Sequence, residues 1–166
     1  SPWTTPSGNV HGMPLALWMN IEKKGNNRPK MFTLDVWDRL RKIGSSGPKV
    51  LPSDLVFIGL RDYEPEERAI IEEHKIKVIT VKDLRAKGAN AAVAETLAHL
   101  STCDKVHVSF DVDSLDPSIS VGTGTPVPDG LFLEEARELL AGLCSDPKIV
   151  TLDVVEINPA LDTGNA

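Results

Sequence analysis

The sequence predicts an α/β chain: a doubly wound, mostly parallel sheet with helices on both faces. Short apolar, β-branched runs alternate with helical stretches of about ten residues, the order that builds βαβ units. Three strand ends also carry charge, at the edge where open parallel sheets bind their ligands. Arg61-Asp62-Tyr63-Glu64 closes the first, Asp111 and Asp113 the second, and Glu156-Ile157-Asn158-Pro159 the third.

Met13 to Ile21 reads as a helix with Leu15, Leu17 and Trp18 partly buried, followed by a basic, Gly/Asn-rich connector from Lys23 to Pro29 and a loop from Gly44 to Pro48. Residues 54–60 form a buried strand, Pro65 to His74 a helix, and Ile76 to Val81 a second strand. Ala91 to Leu100 is a helix with Val93, Leu97 and Leu100 on one side. Lys105 to Phe110 is a strand, Glu134 to Leu143 a helix, and Ile149 to Glu156 a final strand. There is no internal repeat or low-complexity tract, so residues 1–166 are expected to form a single domain. Both ends fall in loop-like sequence, and the domain is expected to be truncated at both ends.

With 41% hydrophobic and 25% charged residues, the 166-residue chain has an ordinary globular composition. Eighteen basic against twenty-four acidic residues leave a net charge of −6. That balance argues against nucleic acid or an anionic membrane as the partner and favours a small, cationic ligand. No apolar run approaches the roughly 18 residues of a membrane span, and these residues show no secretory n-region or h-region, so the chain is expected to be cytoplasmic. Cys103 and Cys144 lack the spacing of a metal cluster or a disulfide framework and read as core thiols of a reducing compartment.

Function is most legible at Ser109-Phe110-Asp111-Val112-Asp113-Ser114-Leu115-Asp116-Pro117, where an apolar strand ends in acids. Carboxylates at the tip of a buried strand need a cation or hydrogen bonds to offset them. Asp111 and Asp113 share strand parity, so extended backbone would project both from one face. Oxygen donors suit hard divalent cations, and an imidazole from elsewhere would shift the preference toward Mn, Zn or Fe. The structural alternative is an Asx-turn with a helix cap, and Asp116 is expected in the turn.

Four segments in register then carry a resemblance. They are Ser7-Gly8-Asn9-Val10-His11-Gly12-Met13-Pro14, Gly59-Leu60-Arg61-Asp62, the Ser109–Pro117 run with Gly122-Thr123-Gly124-Thr125-Pro126-Val127, and Glu156-Ile157-Asn158-Pro159. Together they closely resemble arginase, a binuclear manganese ureohydrolase, over essentially the whole chain. The resemblance implies two Mn2+ per complete site, with Asp111 and Asp113 as ligands. It implies hydrolysis of L-arginine to L-ornithine and urea by a metal-bridging hydroxide. Glu156 matches the carboxylate that pairs with the guanidinium group, and His11 the loop histidine that shuttles protons, a task suited to an imidazole's ordinary pKa of about 6.5. Ser7 and Asn9 match residues holding the substrate's α-carboxylate, with Thr5 a weaker member of that cluster. Glu64 falls where the family places an acid near the α-amino group. Thr125 lies beside the metal-binding segment, within reach of the guanidinium end, and Asp62 supports the site from behind. Arg61 is read as a structural ion pair. His74, His99 and His107 match nothing.

The upstream Asp-x-His-x-Asp and Gly-Gly-Asp-His segments of the family, which hold its other metal ligands, are absent from these residues, and Ser114 and Pro128-Asp129-Gly130 depart from the common pattern. The isolated piece is therefore expected to be inactive. The resemblance also implies a homo-oligomer, trimer or hexamer. The alternatives are agmatinase or another guanidino hydrolase, which has no α-carboxylate to bind, a non-catalytic relative with an incomplete metal site, and a product that assembles with its partner half.

Overall fold

A computed structural model of the protein describes residues 1–8, 10–22 and 25–162. The chain divides into two compact units, Ser1–Leu55 with Glu64–Lys75, and Val56–Tyr63 with Ile76–Ala166.

The first unit is helical. It contains α1 (Pro14–Trp18), α2 (Met31–Arg41) and α3 (Pro65–Glu73). Pro14 and Pro65 open their helices at the position where a missing N–H costs nothing. Met13, Leu17 and Trp37 are buried together, with Trp3 and Ala16 packed against them. The Trp3 and Trp37 rings meet edge to face at 6.5 Å between centroids, a preferred aromatic geometry.

The second unit carries the strands: β1 (Val56–Ile58), β2 (Lys77–Ile79), α4 (Val81–Lys87), α5 (Ala89–His99), β3 (Val106–Asp111), α6 (Leu133–Cys144) and β4 (Ile149–Val155). β1 pairs with β2 and β3 with β4, both in parallel, and the second pairing sets Asp111 opposite Val155. Among the described residues the four strands therefore make two two-stranded sheets. Ile79, Leu84, Ala92, Leu131, Leu139 and Leu143 are central to the core, and Phe110 and Leu115 pack onto its edge. Each leucine or isoleucine so buried contributes roughly 1.5–3 kcal/mol. The α5–α6 contact is close because position 142 lacks a side chain: a Cβ on Gly142 would lie 2.8 Å from Val93 Cγ2.

The strands and the three later helices fall where the sequence places them, to within two or three residues at most ends. Two helices go beyond the expectation. α2 lies between the Lys23–Pro29 connector and the Gly44–Pro48 loop, where the sequence pattern places no element, and α4 begins at Val81, which that pattern puts at the end of a strand. Thr80 stops that strand: its hydroxyl accepts from Asp83 N at 3.1 Å, while Thr80 N donates to Asp83 Oδ2 at 3.1 Å, a reciprocal cap that starts the helix. α1 ends at Trp18, sooner than the Ile21 expected. Neither cysteine is a core thiol, since Cys103 is half-buried and Cys144 exposed.

Gly130 marks a tight backbone approach in the second unit. Leu131 N donates to Ser114 O at 2.9 Å and Asp116 N to Leu131 O at 2.9 Å, so the loop before α6 runs directly against the turn after β3. A Cβ at Gly130 would sit 2.5 Å from Asp116 N and from the Leu115 carbonyl carbon. Neither neighbour is a side chain able to swing away. Gly130→Ala is expected to destabilise the protein by about 2–3 kcal/mol, read as a lower urea midpoint at unchanged slope.

Candidate metal and substrate site

Asp111 is the last residue of β3, and the chain leaves the extended conformation there: Val112–Ser114 form a single 3-10 turn. The parity argument from the sequence therefore does not describe the geometry. Asp111 Oδ1 accepts from Asp113 N at 3.0 Å, capping the turn, and the turn brings the two carboxyl groups within hydrogen-bonding reach of each other. The Asx-turn and cap, which the sequence offers as the structural alternative to a cation site, are formed. Asp116 lies in the turn as expected, accepting from Ser118 N at 3.0 Å and from Gly130 N at 3.2 Å.

Burial, followed by the Asp113 charge and then that of Glu156, pushes the Asp111 carboxyl up to about 6 from an ordinary 3.8, against the opposing pull of the Asp113 N–H. Glu156 follows β4 directly, in register beside β3, and is exposed with φ at 61°, a left-handed conformation that costs a non-glycine residue roughly 1–2 kcal/mol. The segment beyond it is tied down by Asn158 N donating to Gly122 O at 2.7 Å. Thr125 Oγ1 donates to Asp113 Oδ2 at 2.7 Å, so this threonine faces the Asp113 carboxylate. Asp111, Asp113, Thr125 and Glu156 thus belong to one neighbourhood within the second unit.

Arg61 is the residue the sequence misjudged. Among the described residues it pairs with no carboxylate. Its guanidinium donates instead to the carbonyls of Asp113, Ser114, Leu115, Val127 and Pro128. No sequence signal announces this, because backbone acceptors are the same at every residue.

The first unit holds the remaining candidates. Ser7 is exposed, lies 3.4 Å from Thr5 Oγ1 between hydroxyl oxygens, and hydrogen-bonds the Glu64 side chain. Glu64 precedes α3, where its N–H donates to Glu67 Oε2 at 2.8 Å. Burial first, then the Glu67 and Glu66 charges, raise the Glu64 carboxyl above the usual range. His11 is exposed in the 3-10 turn Val10–Gly12. Asn9 lies outside the described residues. Elsewhere, His107 Nδ1 shares a hydrogen bond of 2.8 Å with Thr151 Oγ1, and its Nε2 lies 3.4 Å from Asp153 Oδ2. His74 caps α3 and His99 ends α5.

The donor set at Asp111 and Asp113 fits a hard divalent cation. The set is partial: among the described residues no three His, Cys, Asp or Glu side chains gather at metal-binding distance.

Parallel strands joined by helices, with acids clustered where β3 and β4 end, define an α/β chain of the kind that binds its ligand at the carboxyl edge of the sheet. Comparison with known proteins makes this specific: the arginase family matches residues 1–166, and the chain belongs to it. It is 38% identical to the arginase of Coccidioides immitis over 98% of this chain and 47% of that one. With the arginase of Bacillus subtilis the identity is 36%, over 98% of this chain and 50% of that one. The crystal structure of the B. subtilis enzyme superposes with a TM-score of 0.84, covering 98% of this chain and 52% of that chain. A hypothetical agmatinase from Burkholderia thailandensis superposes less completely, with a TM-score of 0.61 at 27% identity over 81% of this chain and 38% of that one. The chain spans about half the length of the curated relatives it matches, and its fold is that of the arginases.

The raised Asp111 pKa fixes a sign. A carboxyl that binds its proton more tightly when folded adds stability fully present below about pH 4 and lost as pH rises through about 6. In metal-free protein, Asp111→Asn removes that loss. Between pH 7 and 8 the variant is expected to be more stable than the parent by about 1 kcal/mol, a figure discounted for the partial exposure of the group. At pH 4 the difference disappears, as thermal melts in chelator across that range would show.

Proposed function

We propose that these residues form part of the active centre of a manganese-dependent ureohydrolase that converts L-arginine to L-ornithine and urea in the cytoplasm. The carrying observation is the approach of the Asp111 and Asp113 carboxyls, with Glu156 near enough to raise Asp111 further. A divalent cation at the pair would relieve that repulsion, and a guanidinium group, planar and always charged, suits a carboxylate such as Glu156. When bound, divalent metal ions lower the pKa of water enough to supply hydroxide at neutral pH.

In this reading Asp111 and Asp113 hold metal, and Thr125 fixes the orientation of the Asp113 carboxylate through its hydroxyl. Glu156 receives the guanidinium group and restrains it against rotation. His11, on an exposed turn, carries protons between the site and solvent, as the departing amine requires. Ser7 and Asn9 bind the α-carboxylate as neutral donors, and Glu64 attracts the α-amino group. The hydrogen bond between Ser7 and Glu64 supports this assignment, since it sets an amino-acid-sized donor and acceptor side by side. In this reading Asp111 and Asp113 are two of the metal's ligands and leave the rest of its coordination sphere to other groups. The assembled enzyme is a homo-oligomer, trimer or hexamer, in keeping with the family.

Arginine is preferred over agmatine in this proposal because Ser7, Asn9 and Glu64 match the family's groups for both α-substituents. The test is urea release by the intact protein under manganese titration with each substrate. Asn9→Ala is expected to raise KM for arginine roughly ten- to hundredfold while changing KM for agmatine by less than about twofold. Equal effects on the two substrates, or manganese-independent turnover, would refute the assignment.

A further inference from the structure

We propose that Arg61 is a positioning residue for the metal centre, a clamp that holds the turn bearing Asp113 and the loop bearing Thr125 in one fixed arrangement. The inference rests on the reading of Asp113 as a metal ligand, and its geometry is independent of that reading.

The guanidinium reaches two stretches of backbone at once. On the β3 side, Nη2 donates to Asp113 O at 2.7 Å and to Leu115 O at 3.3 Å, and Nη1 to Ser114 O at 3.3 Å. On the loop side, Nε donates to Val127 O at 3.2 Å and Pro128 O at 3.1 Å, and Nη2 to Val127 O at 2.6 Å. Every bond ends on a carbonyl. The two stretches are those whose side chains meet in the hydrogen bond from Thr125 Oγ1 to Asp113 Oδ2. Asp113 is thereby fixed at its carbonyl by Arg61, at its N–H by Asp111, and at its carboxylate by Thr125.

Only arginine can do this. Its planar fork carries five N–H donors in fixed directions, whereas a lysine ammonium offers three on a flexible stem and cannot span both strands of the contact. Because all its donors end on carbonyls, Arg61 places a positive charge behind the acids without occupying their oxygens. The same loop is held at its far end by Arg85, whose Nη2 donates to Gly130 O at 2.9 Å and whose Nε pairs with Glu135 at 2.7 Å. Arg85 touches neither Asp113, Thr125 nor Val127 in any of these contacts, so it serves as a control for general loosening of the loop.

The experiment compares Arg61→Lys, Arg61→Gln and Arg85→Lys in the intact protein. Manganese binding is followed by calorimetry and by the electron paramagnetic resonance line shape of the bound ion. Amide exchange is followed over residues 112–128. The expected result is a roughly 10- to 100-fold loss of manganese affinity in both Arg61 variants, with a broadened resonance. Exchange of the 112–116 and 125–128 amides becomes faster, while Arg85→Lys stays within about twofold of the parent. Equal loss in Arg85→Lys, or full affinity with unchanged exchange in Arg61→Lys, would overturn the inference. Should the parent itself bind no manganese, the proposed function fails, and the exchange data alone then decide whether Arg61 clamps the two segments.

Discussion

Two carboxyl groups pressed together at the end of β3 set the terms for everything around them. Like charges about 4 Å apart near a protein surface repel by roughly 4 kcal/mol at an effective dielectric of 20. The chain offers modest relief: the Asp113 N–H to Asp111, the Thr125 hydroxyl to Asp113, and a guanidinium whose donors all point elsewhere. Proton uptake by Asp111 is the response available to the polypeptide itself: burial first, then the Asp113 and Glu156 charges, push its carboxyl up to about 6. A divalent cation does the same work better, since it satisfies both oxygens without neutralising them as acids. The arrangement is costly to folding and useful to binding, the usual relation at a functional site.

The geometry of that pair depends on backbone more than on side chains. An extended β3 would set both acids on one face roughly 6.6 Å apart along the strand; the 3-10 turn at Val112–Ser114 sets Asp113 relative to Asp111 instead. The turn leaves carbonyls facing outward from it, and Arg61 gathers them together with those of the Thr125 loop. Gly130 lets the same loop lie directly on Leu115 and Asp116. A charged fork and a missing side chain thus combine to hold the turn after β3 and the loop before α6 together beside the two acids.

The strands were legible because β-branched apolar runs have few other uses, and the later helices because their apolar faces repeat at helical spacing. α4 was hidden by its own first residue: Ile76 to Val81 reads as one strand until Thr80 and Asp83 are seen as a reciprocal cap, a Thr-x-x-Asp signal present in the sequence. α2 offered Leu34, Trp37 and Leu40 at helical spacing, but only Trp37 is buried, so the stripe is weak. The acids of the site were readable from residue type, since carboxylates at a strand end demand an explanation. Their mutual geometry was not, because it comes from a turn rather than from strand parity. Arg61 was misread for the opposite reason: an arginine near acids suggests an ion pair, whereas its partners are carbonyls that no residue letter encodes.

The difference between these two kinds of legibility has a consequence for how the family's chemistry is distributed along the chain. Residues that touch metal or substrate are chosen by charge and can be recognised one at a time. Residues that hold them are chosen by the shape of nearby backbone and are recognised only once the turn and the loop are in place. In the proposed function Asp111, Asp113 and Glu156 belong to the first kind, and Arg61 and Gly130 to the second. A site made of the first kind alone would relax: free of the clamp, Asp113 and Asp111 would separate to lower their repulsion, and the pair would no longer present converging oxygens to one ion. The positive charge of Arg61, bonded to carbonyls on both sides, opposes that separation without competing for the ligand. In the proposed metal centre, affinity for a cation would be stored in a backbone arrangement that keeps two repelling groups from moving apart.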